Sequence, residues 1–330
     1  MTPLLRKLLL IDLFKYHKLK MASAVLFFLL IFAWIFPFSD LSDFVTNFVS
    51  TQTRGQVFVQ FNRLDFGFLP TVSIEGEDIL LDVAATPTLQ IDRLQIWPSL
   101  TSLLALRNNP NQIPNLSVQA TGIFDGDIFA AVKNAKAKQE DLQLKTVEIN
   151  AENVNLGKVS PLASLPLTIQ GRANLKGEVV VNPEMQVQPE GDLQLDGKQV
   201  KIPPGNLPTQ MGPIFLPGFS WKQVQLKTRL SNGVIYVEQA TLGTSTDPIF
   251  LQVKGQLRLP IQTRGAQLQS YDLKMDLQIN SKTAEELKSF LLFLERFKSP
   301  SAPGTHRYMF RAASNNPMAG GPNLQPLSNF

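Results

Sequence analysis

Cysteine is absent from the 330-residue chain, and histidine occurs only as His17 and His306. Without cysteine there can be no disulfide, no thiolate nucleophile and no cysteine-rich zinc site. With so little histidine, the commonest proton relay and metal ligand is nearly gone, and a Ser-His-Asp arrangement is excluded in practice. The sequence also lacks HExxH, the Walker A loop and GxGxxG. Glu75/Glu77 and Glu285/Glu286 are the nearest approach to paired catalytic carboxylates, and both pairs read as turn and helix-surface charges. The expectation is therefore a protein that is no enzyme, with no catalytic residue, metal or cofactor.

Charge is scarce as well. Asp, Glu, Lys and Arg make up 18% of residues against 44% hydrophobic ones. The net charge of +4 is local, because residues 1–20 hold five basic side chains (Arg6, Lys7, Lys15, Lys18, Lys20) and one acidic, Asp12. The other 310 residues keep 26 of each sign out of totals of 31 and 27. A neutral body argues against nucleic acid as a partner, since that binding leans on phosphate neutralisation.

What is present begins with "MASAVLFFLLIFAWIFPF", residues 21–38, which carries no charge. As a helix it would span about 27 Å, close to the thickness of a bilayer's hydrocarbon core. Met21 opens the run, and Trp34 and Phe38 sit near its far end, where interfacial aromatics belong. A cleaved signal peptide is the alternative. The run is longer than a usual signal core, and "PFSDLSDF" has no small-x-small cleavage site, so an uncleaved transmembrane anchor is expected. Bases before the span and Asp40 and Asp43 after it place 1–20 in the cytoplasm and the rest across the membrane. In a Gram-negative cell this is an inner-membrane protein with a single pass and its main domain in the periplasm.

The exported body, 39–298, writes strand after strand. "DPIFLQVKGQLRL" (247–259) alternates Leu251, Val253, Gly255, Leu257 and Leu259 with Gln252, Lys254, Gln256 and Arg258. Period-two alternation is the mark of a strand with one face buried and one wet. Its neighbours carry the same pattern, through Ile235 and Val237 on one side and Leu273, Met275 and Leu277 on the other. These eight, Ile235, Val237, Leu251, Val253, Leu257, Leu273, Met275 and Leu277, are the candidate apolar face.

Turn signals are expected at Asp196-Gly197, splitting 191–202 into a hairpin, and at Ser231-Asn232-Gly233. "TVSIEGEDILLDV" (71–83) reads as two short strands. Helices are expected near 40–50, 98–106 and 283–298, the last opened by a Thr283/Glu286 capping box. The proline-rich stretch 202–218 reads as a non-strand excursion, and 299–330 as a terminal strand and flexible tail. The predicted fold is mainly β: a curled antiparallel β-meander with short peripheral helices, preceded by one transmembrane helix. Its apolar face lies either in a closed sandwich or along an open groove, and alternation alone does not separate the two.

Several stretches in series resemble a known family. "FLPTVSIEGEDILLDVAATPTLQIDRLQIWPSLTSLLAL" (68–106) looks like the opening of the type II secretion system protein N family, and "TGIFDGDIFAAV" (121–132) like the hairpin that follows there. "LSNGVIYVEQATLGTSTDPIFLQVKGQLRL" (230–259) resembles the hairpin-and-strand unit shared with AsmA-like proteins. "GTHRYMFRAASNNPM" (304–318) is similar to the family's terminal strand, with "AASNN" where AsmA-like proteins usually carry glycine. The resemblance covers most of 39–320. It implies an inner-membrane-anchored periplasmic component associated with type II protein secretion, with membrane lipid and other secretion-system or envelope proteins as partners. An AsmA-like module that binds or transfers lipid is the alternative it leaves open.

Overall fold

A computed structural model describes residues 23–24, 27–28, 41–67, 72–83, 88–105, 113–135, 143–161, 167–207, 214–262, 265–266, 268–315, 317 and 323–330. Residues 1–20, expected in the cytoplasm, lie outside them, as do Met21, Trp34 and Phe38. Of the candidate span only Ser23, Ala24, Phe27 and Phe28 are described; they are helical, and both phenylalanines are 65% exposed. Among the described residues no helix is long and apolar enough to cross a membrane.

The body is mainly β, and nearly all of it is one antiparallel sheet of sixteen strands. In chain order the strands are β1 (Val57–Gln60), β2 (Arg63–Gly67), β3 (Ser73–Val83), β4 (Leu89–Pro98), β5 (Leu116–Thr121) and β6 (Asp127–Asn134). Next come β7 (Lys145–Asn155), β8 (Gln170–Val181), β9 (Glu190–Ile202), β10 (Gly205–Leu207), β11 (Ile214–Leu216) and β12 (Phe219–Ser231). The last are β13 (Val234–Leu242), β14 (Ile249–Arg258), β15 (Ile261–Gln262), β16 (Gly265–Ala266), β17 (Ser270–Asn280), β18 (Lys298–Ser299), β19 (Thr305–Ser314) and β20 (Asn323–Pro326). From β3 to β9, and on through β12, β13, β14, β17 and β19, each strand pairs with the next. Among the described residues only the two-stranded ribbons β10–β11 and β15–β16 stand apart from the sheet.

Alternation becomes structure most plainly at β14. Lys254, Gln256 and Arg258 are exposed, while Leu251, Val253, Gly255 and Leu257 turn the other way. Gly255 has φ 146°, and a Cβ there would lie 2.1 Å from the carbonyl oxygen of Asp272 on β17. Only glycine lets the two strands run this close at that point.

The ends of the sheet are covered. Helix α1 (Leu41–Gln52) packs on β1, with the Thr46 hydroxyl donating to the carbonyl of Val59 at 2.7 Å. Ile79, Ile91 and Ala120 form a small buried cluster nearby, with Val59, Phe61, Leu94 and Ile123 against it. Helix α2 (Leu100–Ala105) follows β4, and a single turn, α3 (Leu156–Val159), follows β7. At the far end α4 (Ser281–Glu286), α5 (Lys288–Leu291) and a 3-10 segment (Leu292–Phe297) lie over β17 and β19. They bury Ala284, Leu287, Leu291 and Phe297 against Ile279, Tyr308 and Phe310.

Several expectations are corrected by this geometry. The segment 283–298 is broken rather than one helix, and Asn280 is its cap: its side chain accepts from the amide of Thr283 at 2.8 Å. Helical pitch explains the break. Six residues at three per turn return Phe297 to the side of Leu291, where an α-helix would swing it away from the core. Asp196-Gly197 makes no turn, because β9 runs unbroken between β8 and β12 and pairs along nearly its whole length with both. A Cβ on Gly197 would meet Val200 at 2.9 Å and Val224 at 3.3 Å, so the glycine serves close packing. Within the stretch 71–83, Ser73–Val83 is one strand, whose two halves pair separately with β2 and β1. The excursion 202–218 contains the ribbon β10–β11. The tail returns as β20, beside β19, and the Phe330 ring lies 5.0 Å from the Lys254 ammonium. The turn at Asn232-Gly233 is as expected, with φ 51° and 71° at its two central residues.

Candidate functional site

The eight candidate apolar residues come together on β13, β14 and β17. Ile235 is opposite Leu257, Val253 opposite Met275, and Leu251 opposite Leu277. Val237 and Leu273 flank Gly255 from the two sides. Val237 is buried, and the other seven are half-buried.

The same face continues far beyond these three strands, which the sequence reading did not foresee. Following the cross-strand partners from β3 gives Gly76, Leu94, Ala120, Ile128, Ala151, Leu175 and Leu195. It goes on through Leu226, Ala240, Val253 and Met275 to Phe310 on β19. No polar side chain interrupts this row of twelve strands, which at 4.7–4.9 Å per strand runs for about 50 Å. A parallel row holds Ile149, Gly177, Leu193, Val237 and Leu273, with Thr228 its one polar member among Ile74, Ile96, Val118, Ala130, Gly255 and Ala312. The signal was available in the alternation of each strand. Only the register shows that the strands align it into one lane.

The cover over this lane is uneven. At the C-terminal end Tyr308 is 1% exposed and Phe297 3%, under the helical cap. In the middle, among the described residues, no helix packs on the face: Leu175, Leu193, Leu195 and Leu226 are only half-buried, and Ile149 is 36% exposed. A second sheet packed over these positions would bury them fully, as sandwich cores are buried.

The opposite face is charged and paired. Two bidentate ion pairs fasten β17 to β19: Arg307 to Asp276 at 2.9 and 2.6 Å, and Arg311 to Asp272 at 2.6 Å twice. The Arg311 hydrogen bonds hold the Asp272 carboxyl below the usual carboxylate range, and Asp276 raises the pKa of Arg307. Lys133–Glu148 and Lys227–Glu238 link neighbours in the same way at exposed positions. At the rim of the lane, Lys145 is 2% exposed, and its ammonium donates to the side-chain oxygens of Asn115 and Asn134 at 3.0 and 2.6 Å. Burial pushes its pKa down. Among the described residues no group of histidine and carboxylate side chains is placed to hold a metal ion.

No family model, curated protein or solved structure matches this chain.

Proposed function

We propose that this chain is a non-catalytic, membrane-anchored envelope protein whose sheet holds the acyl chains of lipid along its apolar lane. One observation carries the reading: an unbroken apolar row across twelve strands, covered at its ends and left half-buried in the middle. Apolar surface of that extent is costly in water, and each methylene laid on it contributes about 0.8 kcal/mol. Acyl chains fit because the row offers neither a charge nor a hydrogen-bonding side chain. The uncharged run 21–38 would keep the domain beside a source of such lipid, with the body in the periplasm.

A second reading, a non-catalytic subunit associated with type II secretion, draws on the ordered resemblance along 68–318. A separate feature favours it: Leu292 and Phe293 stand 64% and 78% exposed on the C-terminal cap, where a protein partner could cover them. The two readings are compatible, since a secretion component can hold lipid.

Single cysteines test the lane without background, because the chain has none of its own. In full-length protein stripped of lipid, Ile149→Cys and Leu193→Cys should react readily with a small maleimide, and added phospholipid should protect them. Lys176→Cys and Gln194→Cys, on the other face, should react equally with and without lipid. Labelling of the two lane positions that lipid leaves unchanged, in a protein shown to be folded, would remove the lipid reading and leave the scaffold.

A further inference from the structure

On the charged face, at the edge where β8 and β12 begin and β7 and β9 end, the regular ladder is interrupted on adjacent strands. The register shifts between β7 and β8 beside Asn153, and between β8 and β9 beside Gly171 and Gln199. All three residues have positive φ: 58°, 125° and 51°. Bulges aligned in this way bend a sheet locally and re-aim the side chains beside them.

The bend encloses a concavity of about 750 Å³, lined by all three bulge residues and by Arg172, Lys198, Lys201 and Lys222. No carboxylate is among its lining residues. Elsewhere on the same face several cations are ion-paired, as Lys133 with Glu148, Lys227 with Glu238, Arg307 with Asp276 and Arg311 with Asp272. Lys198 and Lys201 have no ion-pair partner among the described residues. Arg172 is braced from behind, one of its terminal nitrogens donating to the carbonyls of Asn153 at 3.2 Å and Asp125 at 3.4 Å. Two carboxylates adjoin these residues, and both already accept hydrogen bonds. Asp125 accepts from Lys158 at 2.6 Å, and Asp247 accepts from the amides of Thr244 and Lys222.

Four cations line the hollow, with the Arg172 guanidinium already oriented and the Lys222 ammonium donating to the Thr246 hydroxyl at 3.3 Å, and such a lining suits an anion with several oxygens. The hollow is larger than a bare phosphate ion needs and has room for a phosphate ester together with its organic substituent. We propose that this concavity is a binding site for a phosphate ester, held by Arg172, Lys198, Lys201 and Lys222. The ester is either a soluble metabolite or the headgroup of a phospholipid. The site lies on the opposite face from the apolar lane, so it stands or fails independently of lipid in the lane.

Calorimetry on the full chain in an uncharged detergent tests it with two probes, glycerol phosphate and short-chain dihexanoylphosphatidylglycerol. Two double variants carry the same change in net charge. One is Lys198→Glu with Lys201→Glu; the other, Lys176→Glu with Lys274→Glu, alters the same face outside the hollow. All four lysines are exposed, and an unchanged melting temperature in the absence of ligand checks that each variant folds. Glycerol phosphate binding that weakens roughly tenfold or more in the first variant only supports the site and a soluble ligand. The same pattern with the phosphatidylglycerol alone supports the site and assigns it to a headgroup. Equal weakening in both variants, or no binding of either probe, would overturn the proposal.

Discussion

The C-terminal end of the sheet and its middle write the same alternation and pack differently. On β17 and β19, Ile279 is 2% exposed and Phe310 7%, held under α4, α5 and the 3-10 segment. On β7, β8 and β9 the equivalent positions, Ile149, Leu175 and Leu195, face no covering helix among the described residues and stay half-buried or exposed. The residues are equally apolar. The difference lies in what the chain does next: after β17 it spends seventeen residues, 281–297, on a cap, whereas β8 leads on to β9, and neither the single turn α3 after β7 nor the ribbon β10–β11 after β9 adds a described side chain to either buried cluster. A closed core is thus a local device at the ends, and the middle keeps its apolar face available.

The largest effect should come from removing the cap's own side chains. Phe297→Ala takes away a ring packed on Phe310 at 5.6 Å and leaves a cavity among Leu291, Tyr308 and Ala284. It should cost about 3–5 kcal/mol. Leu195→Ala in the middle removes a side chain that is only half out of water and should cost roughly 1 kcal/mol. Urea denaturation of the two full-length variants checks the contrast. Equal losses would mean that the middle is covered after all.

The ion pairs sharpen the same comparison on the other face. Asp276 is 4% exposed as a side chain and is held bidentately by Arg307, so Asp276→Asn should cost about 2–4 kcal/mol. Glu148→Gln breaks a pair in the middle whose lysine is 53% exposed, and should cost less than about 1 kcal/mol. Acid should weaken the C-terminal end. The folded-state pKa of Asp272 is depressed, so its contribution is full above the ordinary carboxylate range and is lost as pH falls through the folded-state value. Asp272→Asn should flatten the acid side of a melting-temperature profile. A profile unchanged by the substitution would show that the Arg311 contact does not persist in solution.

How much of this was legible in the sequence depends on the range of the cause. The facing of β14 was readable from Leu251 to Leu257, because alternation is a property of one strand. The turn at Asn232-Gly233 was readable because two residues tolerating positive φ lie between two alternating runs. Asp196-Gly197 carried the same local signal and misled. There β8 and β12 both pair along β9, and the ladder bonds on two sides outweigh a local turn preference. The tail's return as β20 gave no periodic signal, since Asn323–Pro326 is four residues ending in proline. The apolar lane and the basic hollow were beyond reach for another reason. Their members lie up to 234 residues apart in the lane, from Gly76 to Phe310, and only the register assembles them. In the hollow, the bulges at Asn153, Gly171 and Gln199 do the gathering, and no composition rule announces a bulge.

The smallest expected effect is also the most local test of open space in the middle. Gly177 sits in the lane between Ile149 and Leu193. A Cβ built there would meet the end of the Leu193 side chain at 3.2 Å and the carbonyl oxygen of Asp192 at 3.4 Å. The nearer of these is the mobile tip of a half-buried leucine that has free volume to turn into. Gly177→Ala should therefore be tolerated, within about 0.5 kcal/mol, and can even gain a little by restricting the unfolded chain. Gly191, on β9 and in the same sheet, gives the contrast: its Cβ would lie 2.1 Å from the carbonyl oxygen of Glu178, which is backbone and cannot turn away. Gly191→Ala should cost several times more, through displacement of β8 from β9. Thermal melts of the pair decide the matter. If Gly177→Ala is as damaging as Gly191→Ala, Leu193 has no room to move, and the middle of the lane is as tightly filled as the capped end.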